Sequence, residues 1–147
     1  HYVEHSIHDV WFDGVAEMLQ DLAAQGIQLA VATGKSRKGL DRVLAQTQSH
    51  DIFVATRAAS ETKSKPDPLM LSEILSVVGV HPEQAIMVGD TSYDLEMAQN
   101  IRMPSVGVTY GVHESHVLEK FNPIALASDV KALHQLLNHQ IKLKESA

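Results

Sequence analysis

The alternation of helical segments with short apolar runs constrains the fold most strongly. Apolar residues at helical spacing mark a first helix over residues 14–25, and residues 27–32 form a short apolar run directly after it. Four further apolar runs follow, at residues 52–55, 85–88, 105–108 and 124–126. A last helix is outlined over residues 130–141. Apolar strands of this kind are typical of sheets covered on both faces, so the pattern predicts an α/β domain with a mainly parallel sheet.

Composition limits the domain organisation and the class of partner. The 147 residues are 44% hydrophobic and 20% charged, which suits one globular domain. The net charge of −6 and the lack of a basic run argue against nucleic acid as a partner. There is no cysteine and no apolar stretch near the ~20 residues that span a bilayer. We expect a cytoplasmic protein that binds neither nucleic acid nor a membrane.

Polar residues fall at the predicted ligand-binding edge, since parallel α/β sheets bind ligands beyond the carboxyl ends of their strands. Thr33 and Gly34 follow the first apolar run, where backbone N–H groups could hold an oxyanion. The alternative for Thr33 is an ordinary helix N-cap. Lys65 is favoured over Lys63 because Pro66 fixes the turn beside it.

The segment from Gly89 to Asp94 is the most informative one. A buried strand ends in Gly89 and Asp90, and Asp94 follows four residues later, in the first turn of a predicted helix. Two carboxylates at a strand end suit Mg²⁺, which prefers oxygen ligands. Stabilisation of the helix N-terminus explains the same acids equally well, so both readings stay open.

Two other patterns fail as motifs. Gly34-Lys35-Ser36 resembles the end of a nucleotide-binding P-loop, but that loop requires a glycine where this sequence has Leu29. Two groups of histidines lack an accompanying carboxylate at a zinc-binding spacing and are interpreted as surface residues, namely His1, His5 and His8, and His113 with His116.

Taken in order, Thr33, then Lys65-Pro66, then Gly89-Asp90 with Asp94 resemble motifs two, three and four of the haloacid dehalogenase superfamily. The phosphoglycolate phosphatase-like branch is the most similar one. The likeness runs from about residue 11 to residue 137. Asp13-Gly14-Val15 resembles the segment after the family's cap domain, with Asp13 in place of the usual proline, and residues 107–111 resemble the segment after motif four.

The resemblance implies a Rossmann-like, three-layer α/β/α core and a Mg²⁺-dependent phosphatase acting on a small-molecule phosphomonoester. In such enzymes an aspartate attacks phosphorus and forms an aspartyl-phosphate. The resemblance makes Thr33, Lys65 and Asp90 the catalytic residues. Thr33, Gly34 and Lys65 would bind phosphate, and Asp90 and Asp94 would bind Mg²⁺, with orientation of Lys65 as the alternative role of Asp94.

The family's first motif, Asp-x-Asp, is absent from the sequence, and the nearest pair, Asp9 and Asp13, is four residues apart. Residues 1–10 are interpreted as the end of a cap region, with a helix at residues 1–8. Residues 11–140 are interpreted as the core and residues 141–147 as a C-terminal tail, of which residues 142–147 are expected to be frayed. We therefore expect a truncated or cleaved phosphatase that lacks the first, central strand and is inactive alone. A retained N-terminal peptide, a strand-exchanged dimer or closure of the sheet would then fill the gap.

Three other classes of protein share some of these residues with the phosphatase. A non-catalytic α/β phosphate-binding or regulatory domain would keep the same residues, and an Asp-x-Asp upstream in the parent gene would argue against it. A receiver domain carries its acidic pair on the first strand, whereas here Thr33 and Lys65 come before the acidic pair. A haloacid dehalogenase proper would not need Mg²⁺, so the two carboxylates favour the phosphatase.

Overall fold

The computed structural model describes residues 2–5, 14–63, 65–110 and 115–145, and the side chains of residues 14–63, 65–110 and 115–144. The strands are β1 Tyr2–His5, β2 Gln28–Thr33, β3 Phe53–Ala58, β4 Ala85–Gly89, β5 Ser105–Val108 and β6 Ala125–Ala127. The helices are α1 Val15–Ala24, α2 Arg37–Gln46, α3 Leu69–Val78, α4 Ser92–Gln99, α5 Ser115–Leu118 and α6 Val130–Glu145. None of the helices in this described part is long and apolar enough to cross a membrane.

The six strands form one sheet in the order β3-β2-β1-β4-β5-β6, and every pairing is parallel. The predicted fold class is thereby confirmed. The order reverses direction between β1 and β4, and sheets of this topology bind ligands at the carboxyl ends of the strands that flank such a point.

The sheet is covered on both faces because side chains alternate along each strand. In β2, Leu29 and Val31 join one apolar cluster, which also holds the buried faces of α1, α2 and α6. Ala30 and Ala32 point to the other cluster, which holds residues of α3 and α4. The domain is therefore the expected three-layer α/β/α sandwich.

The prediction that the central strand is missing from the chain is wrong. Residues 2–5 form β1, which pairs with both β2 and β4, and the predicted helix over residues 1–8 is a strand in this part. Unpaired backbone N–H and C=O groups on β2 and β4 would be costly, and almost any short extended segment can satisfy them. Four residues carry too little periodicity to reveal such a strand. Residue 1 and residues 6–13, including Asp9 and Asp13, lie outside the described residues.

The expectation of fraying from residue 142 onward is wrong as far as Glu145, since α6 continues to that residue, and residues 146 and 147 lie outside the described residues. Ile141 is buried in the core, and Lys144 Nζ donates a hydrogen bond to the Glu83 carbonyl at 2.8 Å. Lys142 and Lys144 lie in the last turn, where positive charge interacts favourably with the helix dipole. These contacts hold the end of the helix against the domain.

Candidate active site

Thr33 and Asp90 lie at the same height on the carboxyl edge of the sheet. His5 of β1 pairs with Val31 on one side and with Val88 on the other. Thr33 and Asp90 each come two residues later, so they are level with each other across β1. Two strand spacings separate the strands that carry them, or about 10 Å. The edge next to the reversal of strand order therefore carries both predicted residues.

Thr33 is not the N-cap of α2, because that place belongs to Ser36. Ser36 Oγ accepts a hydrogen bond from the Gly39 N–H at 3.1 Å. Thr33 is buried at the end of β2, and its Oγ1 accepts from the Lys35 N–H at 3.2 Å. The alternative interpretation of Thr33 as a helix N-cap is therefore wrong. Its hydroxyl faces the turn that contains Gly34.

Lys65 contacts Asp94 although 29 positions separate them in the chain. Lys65 Nζ donates a hydrogen bond to Asp94 Oδ1 and forms an ion pair with it. The Asp94 side chain is completely buried, and the Lys65 side chain is 11% exposed. Lys63, the competing lysine of the same segment, is exposed. The structure thus brings together Lys65 and the second acid of the Gly89–Asp94 segment.

The second oxygen of Asp94 is held by Thr91. Asp94 Oδ2 accepts from the Thr91 N–H at 3.2 Å and from the Thr91 hydroxyl at 2.9 Å, and Thr91 Oγ1 accepts in turn from the Asp94 N–H. This reciprocal arrangement is a capping box at the start of α4. Both carboxylate oxygens of Asp94 therefore accept hydrogen bonds from protein donors.

Gly89 is required by the close approach of Asp94. A Cβ atom on Gly89 would collide with the Cβ of Asp94 and would lie 2.9 Å from its Cγ and Oδ2. The glycine before Asp90 therefore leaves the room in which Asp94 turns back toward the end of the strand.

Asp90 is buried at 3% exposure, directly after β4. Tyr110, two residues beyond β5, lies in its electrostatic field. Burial raises the pKa of Tyr110 to about 12, and the negative charges of Asp90 and Asp129 act in the same direction. The phenol is therefore neutral at physiological pH. Within the described residues, no three His, Cys, Asp or Glu side chains are grouped to hold a metal ion.

The histidine interpretation can be followed at one position only. His116 lies exposed in α5, as expected for a surface residue. His1, His8 and His113 lie outside the described residues, and of His5 only the backbone position in β1 is described.

Sequence reasoning missed three residues that hold this edge together. Thr91 carried a readable signal, because a Thr three residues before an acid at a helix start is a capping-box pattern. Arg37 and Glu61, which form an ion pair between Nη2 and Oε1 at 2.6 Å, carried none. They are 24 positions apart, and no local spacing joins them.

The protein family and the curated proteins that are similar to this chain are hydrolases and phosphatases. The family model described as haloacid dehalogenase-like hydrolase matches residues 1–108. The chain is 31% identical over 125 residues to a phosphoglycolate phosphatase of Psychrobacter arcticus. This match covers 84% of this chain and 54% of the relative. It is 30% identical over 126 residues to the pyrophosphatase PpaX of Halalkalibacterium halodurans, covering 81% of this chain and 57% of the relative.

A crystal structure of a predicted phosphatase from Clostridium acetobutylicum has a TM-score of 0.81 with the chain at 27% identity. The match covers 87% of this chain and 60% of that one. The chain therefore belongs to the haloacid dehalogenase-like hydrolase family. It spans about half the length of the curated relatives it matches.

Proposed function

We propose that the chain carries the phosphate- and metal-binding part of a Mg²⁺-dependent phosphomonoester phosphatase that works through an aspartyl-phosphate. The observation that carries the proposal is the buried Lys65–Asp94 ion pair, at the edge of the sheet that also holds Thr33 and Asp90. A lysine fixed in this way is a preorganised positive charge, which is what stabilises the charge of a phosphoryl group in its transition state.

The proposed roles follow from the donors that each residue offers. An ammonium has three N–H donors, so Lys65 can contact Asp94 and a phosphoryl oxygen together. The Thr33 hydroxyl accepts from Lys35 and keeps its own proton to donate to a second phosphoryl oxygen. The space beside Gly34 is open to a phosphoryl oxygen, since apart from its two chain neighbours no atom lies within 4 Å of the place where a Cβ would stand.

Asp90 is the residue that we propose holds Mg²⁺. It fits in kind, because Mg²⁺ prefers carboxylate oxygens, but one carboxylate is an incomplete ligand set. Bound Mg²⁺ would neutralise charge on the phosphoryl oxygens. Asp94 is better suited to orienting Lys65 than to ligating the ion, because Lys65 and Thr91 already occupy its two oxygens.

The nucleophile is proposed to lie outside these residues, because no Asp-x-Asp occurs in the sequence. A protein that joins this chain to such a motif is termed the parent protein. Relatives of the chain are phosphatases by name, so the non-catalytic alternative is not favoured. Because those relatives are named for two different phosphorylated molecules, the proposal specifies only a small phosphorylated substrate.

The test is hydrolysis of p-nitrophenyl phosphate with Mg²⁺. The 147-residue chain alone is expected to show no turnover, whereas the parent protein turns over. Lys65→Ala in the parent protein should lower kcat by about a hundredfold or more, as loss of a preorganised charge does elsewhere. Lys63→Ala is the matched control and should stay within about twofold. Unchanged turnover of Lys65→Ala, or robust turnover by the chain alone, would contradict the proposal.

Metal binding can be tested on the chain by titration calorimetry. We expect weak Mg²⁺ binding that Asp90→Asn abolishes, because Asp90 supplies one ligand of an incomplete set. Micromolar affinity, or binding that survives Asp90→Asn and is lost in Asp94→Asn, would contradict the assignment of the two carboxylates.

A further inference from the structure

The loop after β2 and the loop after β3 are joined by hydrogen bonds at the proposed phosphate site. The first loop, residues 34–36, follows Thr33, and the second, residues 59–68, contains Lys65. The Ala59 N–H donates to the Lys35 carbonyl at 3.0 Å, and the Arg37 N–H donates to Ser60 Oγ at 3.0 Å. Lys35 itself donates its N–H to Thr33 Oγ1. A continuous path of hydrogen bonds therefore leads from Thr33 to the loop that carries Lys65.

The Arg37 side chain adds further hydrogen bonds to the loop after β3. Its Nε and Nη2 donate to Glu61 Oε1 at 3.1 and 2.6 Å. Nη2 also donates to the carbonyl and the hydroxyl of Thr56 in β3, at 3.2 and 3.0 Å. Glu61 Oε1 accepts a further bond from the Ala58 N–H at 3.0 Å. One guanidinium thus joins the start of α2, the end of β3 and the loop after β3.

We propose that Arg37 and Glu61 are a positioning pair that fixes the Lys65 loop relative to Thr33. The inference rests on the proposed phosphatase function. We assign the pair a role through other residues and not a phosphate contact, because every nitrogen of the Arg37 guanidinium already has a partner: Nε and Nη2 donate to Glu61 and Thr56, and Nη1 donates to Asp41 at 3.1 Å. Asp94 fixes the end of the Lys65 side chain, whereas Arg37 and Glu61 fix the backbone of the loop after β3 that carries Lys65.

A neighbouring ion pair provides a matched control. Arg57 of β3 donates its Nε to Glu73 Oε1 of α3 at 3.1 Å, and its Nη1 donates to the Thr56 carbonyl at 2.8 Å. The side chains of Arg57 and Glu73 are 26% and 39% exposed, close to the 33% and 38% of Arg37 and Glu61. The two pairs thus share chemistry and a similar exposure. Of the two, only the Arg37–Glu61 pair links the start of α2 to the loop after β3.

The first experiment measures kcat and KM of the parent protein on p-nitrophenyl phosphate. Arg37→Met and Glu61→Gln should lower kcat about tenfold or more, because a shift of about 1 Å in a positioning group has effects of this order. Arg37→Lys should not rescue kcat, since one ammonium cannot reproduce the planar fork. Glu73→Gln is the control and should leave kcat within about twofold, whereas Arg57 is not replaced because it shares the Thr56 carbonyl with Arg37. Equal losses of kcat in Glu61→Gln and Glu73→Gln, or unchanged kcat in both, would overturn the inference.

Lys65→Ala separates failure of this inference from failure of the proposed function. If Lys65→Ala loses turnover while Arg37→Met keeps it, only the positioning pair is wrong. If Lys65→Ala keeps turnover, the proposed phosphatase site itself is wrong, and the positioning role falls with it.

The second experiment needs no activity and uses the 147-residue chain. In ¹⁵N-resolved spectra, Glu61→Gln should move the Lys65 side-chain signal and the Lys35 amide signal, whereas Glu73→Gln should leave both in place. Glu61→Gln is chosen because it preserves side-chain size, and its folding can be read from the same spectra. Unmoved Lys65 and Lys35 signals in a folded Glu61→Gln chain would overturn the inference.

Discussion

The two halves of the candidate site are held by different means. In the β4–α4 half, Asp94 is fixed by Thr91, three residues before it, and Gly89 leaves room for it. In the β2–β3 half, two loops are held together by Arg37 and Glu61, which are 24 positions apart and about a third exposed. One half is thus stabilised locally and in the core, and the other by a long-range contact at the surface. Removal of a local, buried contact should lower the free energy of unfolding strongly. The contribution of an exposed ion pair should be smaller and should depend on pH and salt.

The largest loss of unfolding free energy is expected from a change in β1, which pairs with the strands of both halves. Val3→Pro removes a backbone N–H from a strand that is paired on both sides, and we expect a loss of unfolding free energy of about 3 kcal/mol, the upper end of what a buried unsatisfied group costs. Urea denaturation monitored by circular dichroism measures this loss.

Val54→Pro is the control for β1. Val54 is exposed on the edge strand β3, at the register shift where Phe53 and Ala55 pair but Val54 does not. Proline is tolerated at edges and bulges, so the loss should be much smaller. Equal losses for both variants would contradict the central position of β1.

The next largest effect is expected at Gly89 in the β4–α4 half. Gly89→Ala forces a methyl group against Asp94, and overpacking of this kind costs about 1–3 kcal/mol. Gly34→Ala, in the other half, meets no atom within 4 Å and should change the unfolding free energy by less than about 0.5 kcal/mol. Thermal and urea unfolding of both variants gives the comparison, and a stable Gly89→Ala chain would show that Asp94 is not tightly confined.

A smaller effect is expected from Thr91→Val, which keeps the shape of the side chain but removes the cap. We expect a loss of about 1 kcal/mol, the usual cost of losing an N-cap. Thr91→Ser should restore most of the stability because the hydroxyl returns. If Thr91→Ser is as unstable as Thr91→Val, the methyl group and not the capping hydroxyl stabilises this half of the site.

The smallest effect is expected at Glu61, and it should depend on pH. The hydrogen bond from Arg37 is the main cause that lowers the pKa of Glu61 from its ordinary value of 4.5, against the opposing effect of burial. A lowered pKa means that the pair stabilises the fold above pH 4.5 and that this stability is lost as pH falls through the folded-state pKa. Because Glu61 is exposed, the contribution should stay below about 1 kcal/mol.

The measurement is the difference in unfolding free energy between the natural chain and Glu61→Gln, taken from neutral pH down to pH values below the folded-state pKa. The difference should be largest near neutral pH, shrink in acid, and also shrink in high salt because surface ion pairs are screened. A difference that grows on acidification would contradict the sign of the Glu61 pKa shift.

The sequence by itself determined most of the sheet and one half of the site. Apolar runs located β2, β4 and β5 to within a residue or two, because buried parallel strands need apolar residues on both faces. The segment from Gly89 to Asp94 could be read because its signals are local: Asp90 directly follows a buried strand, and Asp94 comes four residues later. The capping role of Thr91 was missed, although its spacing from Asp94 is a capping-box pattern.

Only the tertiary structure decided the rest. It placed residues 2–5 in the middle of the sheet, because backbone pairing satisfies N–H and C=O groups without requiring a particular side-chain pattern. It also selected Asp94 as the partner of Lys65 and joined Arg37 to Glu61. Such pairs form only between loops that are neighbours at the carboxyl edge of the sheet. Strand order decides which loops are neighbours, and a local sequence pattern does not encode strand order.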